Sequence, residues 1–144
     1  MGPRSFCLPI AACFISACAQ MPGAPPPPSP PPGAKVLQCD AACTVQVSVK
    51  CDAYVFCSIE PDNDWIRVGP GKSPVITWEL MTSGYRFSDG GIAFPAGSPF
   101  TCQAEGNRRF MCNDRHSEKG TYKYTITVIG FPFVLPKDPW VENQ

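Results

Sequence analysis

The sequence has little of several features that mark large classes of protein. Its 144 residues include a single histidine, and its 12 basic residues are balanced by 12 acidic ones. The longest basic run is the pair Arg108 and Arg109. A nucleic-acid surface needs a basic stripe that displaces counterions from phosphates, so nucleic acid is not an expected partner. The balanced charge also gives no reason to expect attraction to an anionic lipid surface.

Long apolar runs, helical stripes and catalytic motifs are also missing. No stretch after Ile15 is long and apolar enough to cross a bilayer as a helix. No window of a dozen residues from Val36 onward has the 3.6-residue period of an amphipathic helix. The sole histidine, His116, lies in a polar stretch typical of a solvated loop, and no Gly-x-Ser-x-Gly signature is present. The sequence therefore predicts a protein that is not an enzyme and holds no cofactor.

Metal sites are not expected either. Cys112 and His116 resemble part of the copper loop of cupredoxins, but the second histidine upstream and a methionine shortly after His116 are missing. The cysteine spacings do not form paired C-x-x-C zinc knuckles. Glu60, Asp62 and Asp64 lack the further oxygen ligands and the closing glutamate of a calcium loop, which favours an acidic turn.

The amino-terminal segment, in contrast, has a clear organisation. A short start with Arg4 precedes a ten-residue apolar run, residues 6–15, and then small residues, which is the layout of a secretory signal. Residues 15–18, Ile-Ser-Ala-Cys, resemble the lipobox of bacterial lipoproteins, although leucine is usual at the position of Ile15. Ordinary signal cleavage after Ala19 is the alternative, and it would release a soluble protein.

The resemblance to bacterial lipoproteins implies a specific cellular location. It makes residues 1–17 a removable signal peptide and Cys18 the lipidated (palmitate-carrying) first residue of the mature chain. The protein would then be exported and anchored to a membrane of the cell envelope. Because Ala19 is not the aspartate that signals inner-membrane retention in many lipoproteins, the resemblance favours the outer membrane over the inner membrane.

A proline-rich stretch follows the signal. Residues 22–33 contain eight of the chain's 18 prolines. Proline has a fixed φ and no amide donor, which favours polyproline II. At about 3.1 Å per residue this segment spans roughly 35 to 40 Å. We interpret residues 18–35 as a stalk carrying a domain of residues 36–144.

Nine cysteines in so short a chain indicate crosslinks. Six remain once the signal and Cys18 are set aside: Cys39, Cys43, Cys51, Cys57, Cys102 and Cys112. An even number in an oxidising compartment indicates up to three disulfides. Cys43 and Cys51 bracket a predicted strand and would stand about 26 Å apart, so they cannot bond to each other. The pairings within the group from Cys39 to Cys57 stay open.

The other two cysteines flank a predicted hairpin. If its loop is Gly106 to Arg108, then Glu105 faces Arg109 and Cys102 lies opposite Cys112. Counting out from the closing pair, the two cysteines occupy a non-hydrogen-bonded site, where the short Cα separation suits a disulfide.

Alternation with a period of two dominates the chain from Val36 onward. Residues 43–51 place three valines on one face and polar residues on the other, and residues 121–129 repeat the pattern. Shorter strands are predicted at 54–59, 65–68, 75–81, 85–87, 92–94, 100–103 and 110–113, separated by turn residues. The sequence therefore predicts an all-β fold: an immunoglobulin-like, antiparallel, disulfide-reinforced β-sandwich of about 7–9 short strands.

These features predict a stalked envelope lipoprotein whose domain binds a partner protein or serves a structural role. The alternative is an inhibitor or immunity protein that blocks a secreted hydrolase with a rigid loop, at residues 62–65 or 106–109. The tail, residues 131–140, is rich in aromatic residues and is interrupted by three prolines, which discourage sheet pairing. It would either pack over the sandwich or present a contact surface. Possible partner contacts are Trp65, Arg108, Arg109, Phe131, Phe133 and Trp140.

Overall fold

The computed structural model describes residues 26–53, 56–116 and 118–144. The predicted signal peptide, Cys18 and the first part of the stalk lie outside these residues, as do Tyr54 and Val55 at the start of one predicted strand. None of the described residues forms a helix that could cross a membrane.

The described chain is all-β, as the sequence predicts, with eleven strands in place of the expected seven to nine. Their bounds in chain order are β1 Val36–Gln38, β2 Ala42–Asp52, β3 Phe56–Pro61, β4 Trp65–Val68, β5 Val75–Leu80, β6 Arg86–Ala93, β7 Phe100–Ala104, β8 Arg109–Asp114, β9 Gly120–Lys123, β10 Thr125–Ile129 and β11 Trp140–Asn143.

The strands form three sheets. A five-stranded sheet has the order β3-β2-β5-β8-β7, a four-stranded sheet has the order β1-β4-β11-β9, and β10 pairs with β6. Three pairings are parallel rather than antiparallel: β1 with β4, β4 with β11, and β2 with β5. The chain reaches these pairings because β4 leaves for the second sheet before β5 returns to lie beside β2, a crossover that local sequence patterns do not reveal.

One hydrophobic core joins the sheets. Val45 and Val47 of β2 and Trp78 of β5 contribute from the five-stranded sheet, and all three are fully buried. Ile66 and Val141 contribute from the four-stranded sheet and are also fully buried. The alternation that predicted β2 therefore corresponds to one face turned into this core.

Residues 121–129, predicted as one strand, are two. The run divides at Tyr124, so that β9 pairs with β11 and β10 pairs with β6. The backbone N–H of Tyr124 donates to the carbonyl of Pro139 at 3.0 Å. The alternation continues through the break, and Tyr124, Ile126 and Val128 are buried. The strand thus passes from one sheet to another without changing which side chains face the core.

Two further expectations were wrong in detail. The sequence predicts a turn at residues 89–91 between two strands, but these residues lie inside β6. They belong to an irregularity in the pairing: between its two flanking pairs with β10, β6 has four residues and β10 has one. The tail was predicted to avoid sheet pairing, but its last residue, Trp140, begins β11, the strand that lies between β4 and β9. The three prolines all precede that strand, so they restrict only the connection that leads to it.

Three disulfides reinforce the sandwich. Cys102 pairs with Cys112 directly across the β7–β8 hairpin, as the predicted register requires, and their Cα atoms are 4.0 Å apart. The remaining bonds are Cys39–Cys43 and Cys51–Cys57, with sequence separations of 4 and 6 residues. Each closes a short local loop. Several disulfides in one small domain are expected of a protein that folds in an oxidising, exported compartment.

Candidate functional site

The two predicted tryptophan contacts do not form an open surface. Trp65 is buried, with 2% of its surface exposed, because Trp140 stacks over it at a ring-centroid distance of 5.9 Å. The Trp65 Nε1–H donates to Glu142 Oε2 at 3.0 Å, and Arg67 Nε donates to the same oxygen at 3.0 Å. Trp65 therefore packs within the fold, with almost none of its surface open to a partner.

The Glu142 carboxylate beside the two tryptophans accepts hydrogen bonds from Trp65 and Arg67. Burial alone would raise the pKa of Glu142, but the hydrogen bonds from Trp65 and Arg67 outweigh it, and the pKa lies below its usual range. Glu142 is thus charged at neutral pH and links β4 to β11 through their side chains.

The two predicted arginine contacts are occupied within the fold. The Arg108 Nε–H donates to the carbonyl of Leu80 at 3.0 Å. Arg109 forms ion pairs with Glu79 at 3.1 Å and with Glu105 at 3.8 Å, and all three side chains are partly exposed. The cations at residues 108 and 109 are therefore already hydrogen-bonded or paired.

Phe131 and Phe133, in contrast, are exposed to 91% and 73%. Leu135 and Phe56 are exposed to 69% and 78%. We call these four residues the aromatic patch. Cys57 forms a parallel bridge with Val134, which places the preceding residues, Phe56 and Phe133, beside each other on the outward side. Phe131 and Leu135 lie two residues before and two residues after Phe133 in the sequence.

Contacts with Tyr85 fix the segment that carries most of the aromatic patch. The Tyr85 hydroxyl donates to the carbonyl of Pro132 at 2.8 Å and lies 3.9 Å from the sulfur of Cys57. Gly130 is required here, because a Cβ at this position would overlap the Tyr85 ring. The Cys51–Cys57 disulfide closes the β2–β3 hairpin beside it. The patch is therefore presented on a fixed backbone.

The end of the proline-rich stretch joins the domain near the same segment. A shallow cavity of about 250 Å³ is lined by Pro31, Ala34, Trp65, Pro139 and Trp140, among others. The stretch turns here, since the Ala34 N–H donates to the carbonyl of Pro31 at 3.0 Å. The stalk thus enters the fold beside residues 137–140, while the aromatic patch occupies residues 131–135 of the same connection.

A second group of polar residues lies buried at one end of the sandwich. Asp114 Oδ1 accepts from the His116 backbone N–H at 2.7 Å and from Asn143 Nδ2 at 3.3 Å. His116 Nε2 lies 3.1 Å from the carbonyl of Gln144. Within the described residues, the buried side-chain atoms without a partner are Asp114 Oδ2, His116 Nδ1 and Asn143 Oδ1.

Burial and hydrogen bonding act in opposite directions on the carboxyl of this group. Burial raises the pKa of Asp114, although the hydrogen bonds from His116 and Asn143 oppose the shift. His116 is half-buried and contacts the Gln144 carbonyl, so it is not the freely solvated loop residue that the sequence predicts. Cys112, which a copper centre would need as a thiolate, is bonded to Cys102. Within the described residues, no three histidine, cysteine, aspartate or glutamate side chains converge on a possible metal position.

Comparison with known proteins places the chain in no family. No family model matches it, and no curated protein matches it at a significant level. Among solved structures, a rusticyanin is similar over 72% of this chain and 77% of its own, with 14% sequence identity and a TM-score of 0.33. A similarity this low carries no information about function.

Sequence reasoning found half of the aromatic patch. It selected Phe131 and Phe133 from the composition of the tail but missed Leu135, which is 69% exposed in the same segment. Phe56 carried no sequence signal as a patch member, because its place beside Phe133 depends on a contact between residues more than 70 positions apart.

Proposed function

We propose that the mature protein is an envelope lipoprotein, tethered through a lipid on Cys18, whose β-sandwich domain binds by surface contact and catalyses no reaction. The observation that carries the binding role is the aromatic patch. A phenylalanine side chain offers about 150 to 250 Å² of apolar area, so three that are mostly exposed present on the order of 400 Å². Monomeric soluble proteins seldom leave a larger continuous apolar patch in water, and such patches mark interaction sites.

The chemistry of the remaining residues supports a role without catalysis. The sole histidine has one ring nitrogen directed at the Gln144 carbonyl and the other buried. A general base needs access to a substrate proton, and here Nδ1 is buried while Nε2 already contacts the Gln144 carbonyl. The Asp114 carboxyl beside it is buried as well.

The alternative, an inhibitor of a secreted hydrolase, has less support. Its best loop, residues 106–109, would have to insert into an enzyme cleft. However, Arg108 and Arg109 already interact with Leu80, Glu79 and Glu105, so the loop offers few free polar groups to an enzyme cleft.

Metabolic labelling with palmitate tests the tether. We expect label on the wild-type chain and on a Cys13→Ser control, because Cys13 lies in the segment that the signal peptidase removes. We expect no label on Cys18→Ser. Equal labelling of the two variants would show that Cys18 is not the attachment point. A soluble product that begins at Gln20 would favour ordinary cleavage after Ala19.

A further inference from the structure

Three residues of the aromatic patch and part of the cavity lining at the end of the stalk lie on one connection, residues 130–139, and this proximity along the chain indicates the partner. We propose that the patch inserts into the interface of the lipid bilayer that holds the anchor, so that the domain lies against the membrane. This inference deepens the proposed function and rests on it for the identity of the bilayer. It adds a second contact with the bilayer to the stalk that the sequence predicts.

The distances allow this contact. Leu135 precedes Pro139 by four residues, so the patch begins no more than about 14 Å along the chain from the stalk cavity. The stalk from Cys18 to Pro31 spans about 40 Å if it is extended as polyproline II. A tether of that length lets the domain tip toward the bilayer and keeps the patch at a high local concentration near it.

The polar groups beneath the patch are suited to a medium without water. Pro132 and Pro136 lack backbone N–H groups, and the Pro132 carbonyl accepts a hydrogen bond from Tyr85. Val134 is bridged to Cys57 in the adjacent strand. Unpaired backbone groups make insertion into lipid unfavourable, and the two prolines and the Tyr85 hydrogen bond reduce their number in this segment.

The same features disfavour a specific protein partner. An added strand would need a row of backbone donors along the edge of the segment, and two of the residues at 131–136 are prolines that have none. Protein interfaces also combine an apolar centre with hydrogen-bonding groups. All four side chains of the aromatic patch are hydrocarbon, which suits an apolar medium that makes no directional contacts.

Vesicle binding by the complete chain from residue 18 tests the inference. The Cys18→Ser form, which carries no lipid, is mixed with vesicles of neutral phosphatidylcholine and sedimented. We expect it to bind, and we expect the added pair Phe131→Ser and Phe133→Ser to weaken partitioning by roughly tenfold or more. Met81→Ser is the matched control, since Met81 is 50% exposed outside the patch, and it should change partitioning by less than about twofold. Circular dichroism establishes that each variant is folded.

A reporter measures where the patch sits in the lipidated protein. In vesicles containing brominated lipid, a Phe133→Trp reporter should be quenched beyond the native tryptophans, whereas a Met81→Trp reporter should not. Equal quenching of the two reporters, or vesicle binding that ignores the patch, overturns the inference. Dimerisation of the unlipidated chain through the patch, seen by sedimentation without lipid, would assign the patch to a second copy instead.

The outcomes separate this inference from the tether. If palmitate labelling fails but the Cys18→Ser chain still binds vesicles through the aromatic patch, the lipid anchor is wrong and the bilayer contact stands. If labelling succeeds and the Phe133→Trp reporter stays in water, the anchor stands and the bilayer contact is wrong.

Discussion

The buried contact between Trp78 and Tyr124 allows a quantitative test of how the sandwich is held together. Both side chains are fully buried, and the Trp78 Nε1–H donates to the Tyr124 hydroxyl at 3.1 Å. Their rings meet edge to face at 5.2 Å, and Tyr124 also stacks on Phe94 at 5.1 Å. Tyr124→Phe removes only the hydroxyl and keeps these ring contacts.

The expected loss is larger than that of an average hydrogen bond. A typical intramolecular hydrogen bond contributes about 1 kcal/mol to stability, but a buried donor left without a partner costs about 1 to 3 kcal/mol. Because the Trp78 N–H has no access to water, we expect Tyr124→Phe to lower the free energy of unfolding by about 2 kcal/mol. For a domain of this size that corresponds to a fall in Tm of roughly 8 °C.

Urea unfolding followed by near-ultraviolet circular dichroism measures the effect. Tyr122→Phe is the matched control, because the Tyr122 hydroxyl makes an exposed 3.4 Å contact with the Glu118 carbonyl, and it should cost less than about 0.5 kcal/mol. The slope of the free energy with urea should be unchanged in both variants. A loss below about 0.5 kcal/mol for Tyr124→Phe, or equal losses in the two variants, would refute the contribution assigned to this hydrogen bond.

Two further predictions concern the disulfides and the buried carboxyl. Replacing Cys102 and Cys112 by alanine should lower the free energy of unfolding by about 3 kcal/mol, and replacing Cys39 and Cys43 by about 2 kcal/mol. The difference arises because the disulfide loops span 10 and 4 residues, and the longer loop constrains the unfolded chain more. The reverse order in thermal unfolding would contradict this account. Asp114→Asn should raise stability near pH 7 by about 1 kcal/mol, because the amide can donate to the unpaired Asn143 Oδ1. The pKa of Asp114 is raised in the folded protein, so its favourable contribution is complete below the unfolded value of 3.8 and is lost as pH rises through the folded pKa. The advantage of the variant should therefore shrink on acidification, and an advantage that is the same at every pH would contradict this account.

The sequence by itself determined the fold class and one disulfide. Alternation in residues 43–51 predicts β2 because the side-chain period of a strand is two and one face must avoid water. The hairpin register places Cys102 opposite Cys112 because both residues lie close to the same turn, where the pairing follows from counting. The exposed side chains Phe131 and Phe133 were also within reach, since they stand in an aromatic tail interrupted by prolines.

Tertiary structure alone decided the features that join distant parts of the chain. The placement of β11 between β4 and β9 and the switch of sheets at Tyr124 depend on crossovers that leave no local pattern. Burial of Trp65 likewise required Trp140, and the aromatic patch required the bridge between Cys57 and Val134. The physical reason is the same in each case: local periodicity states which face of a strand is apolar, whereas the neighbour that covers that face is selected by packing of the whole domain.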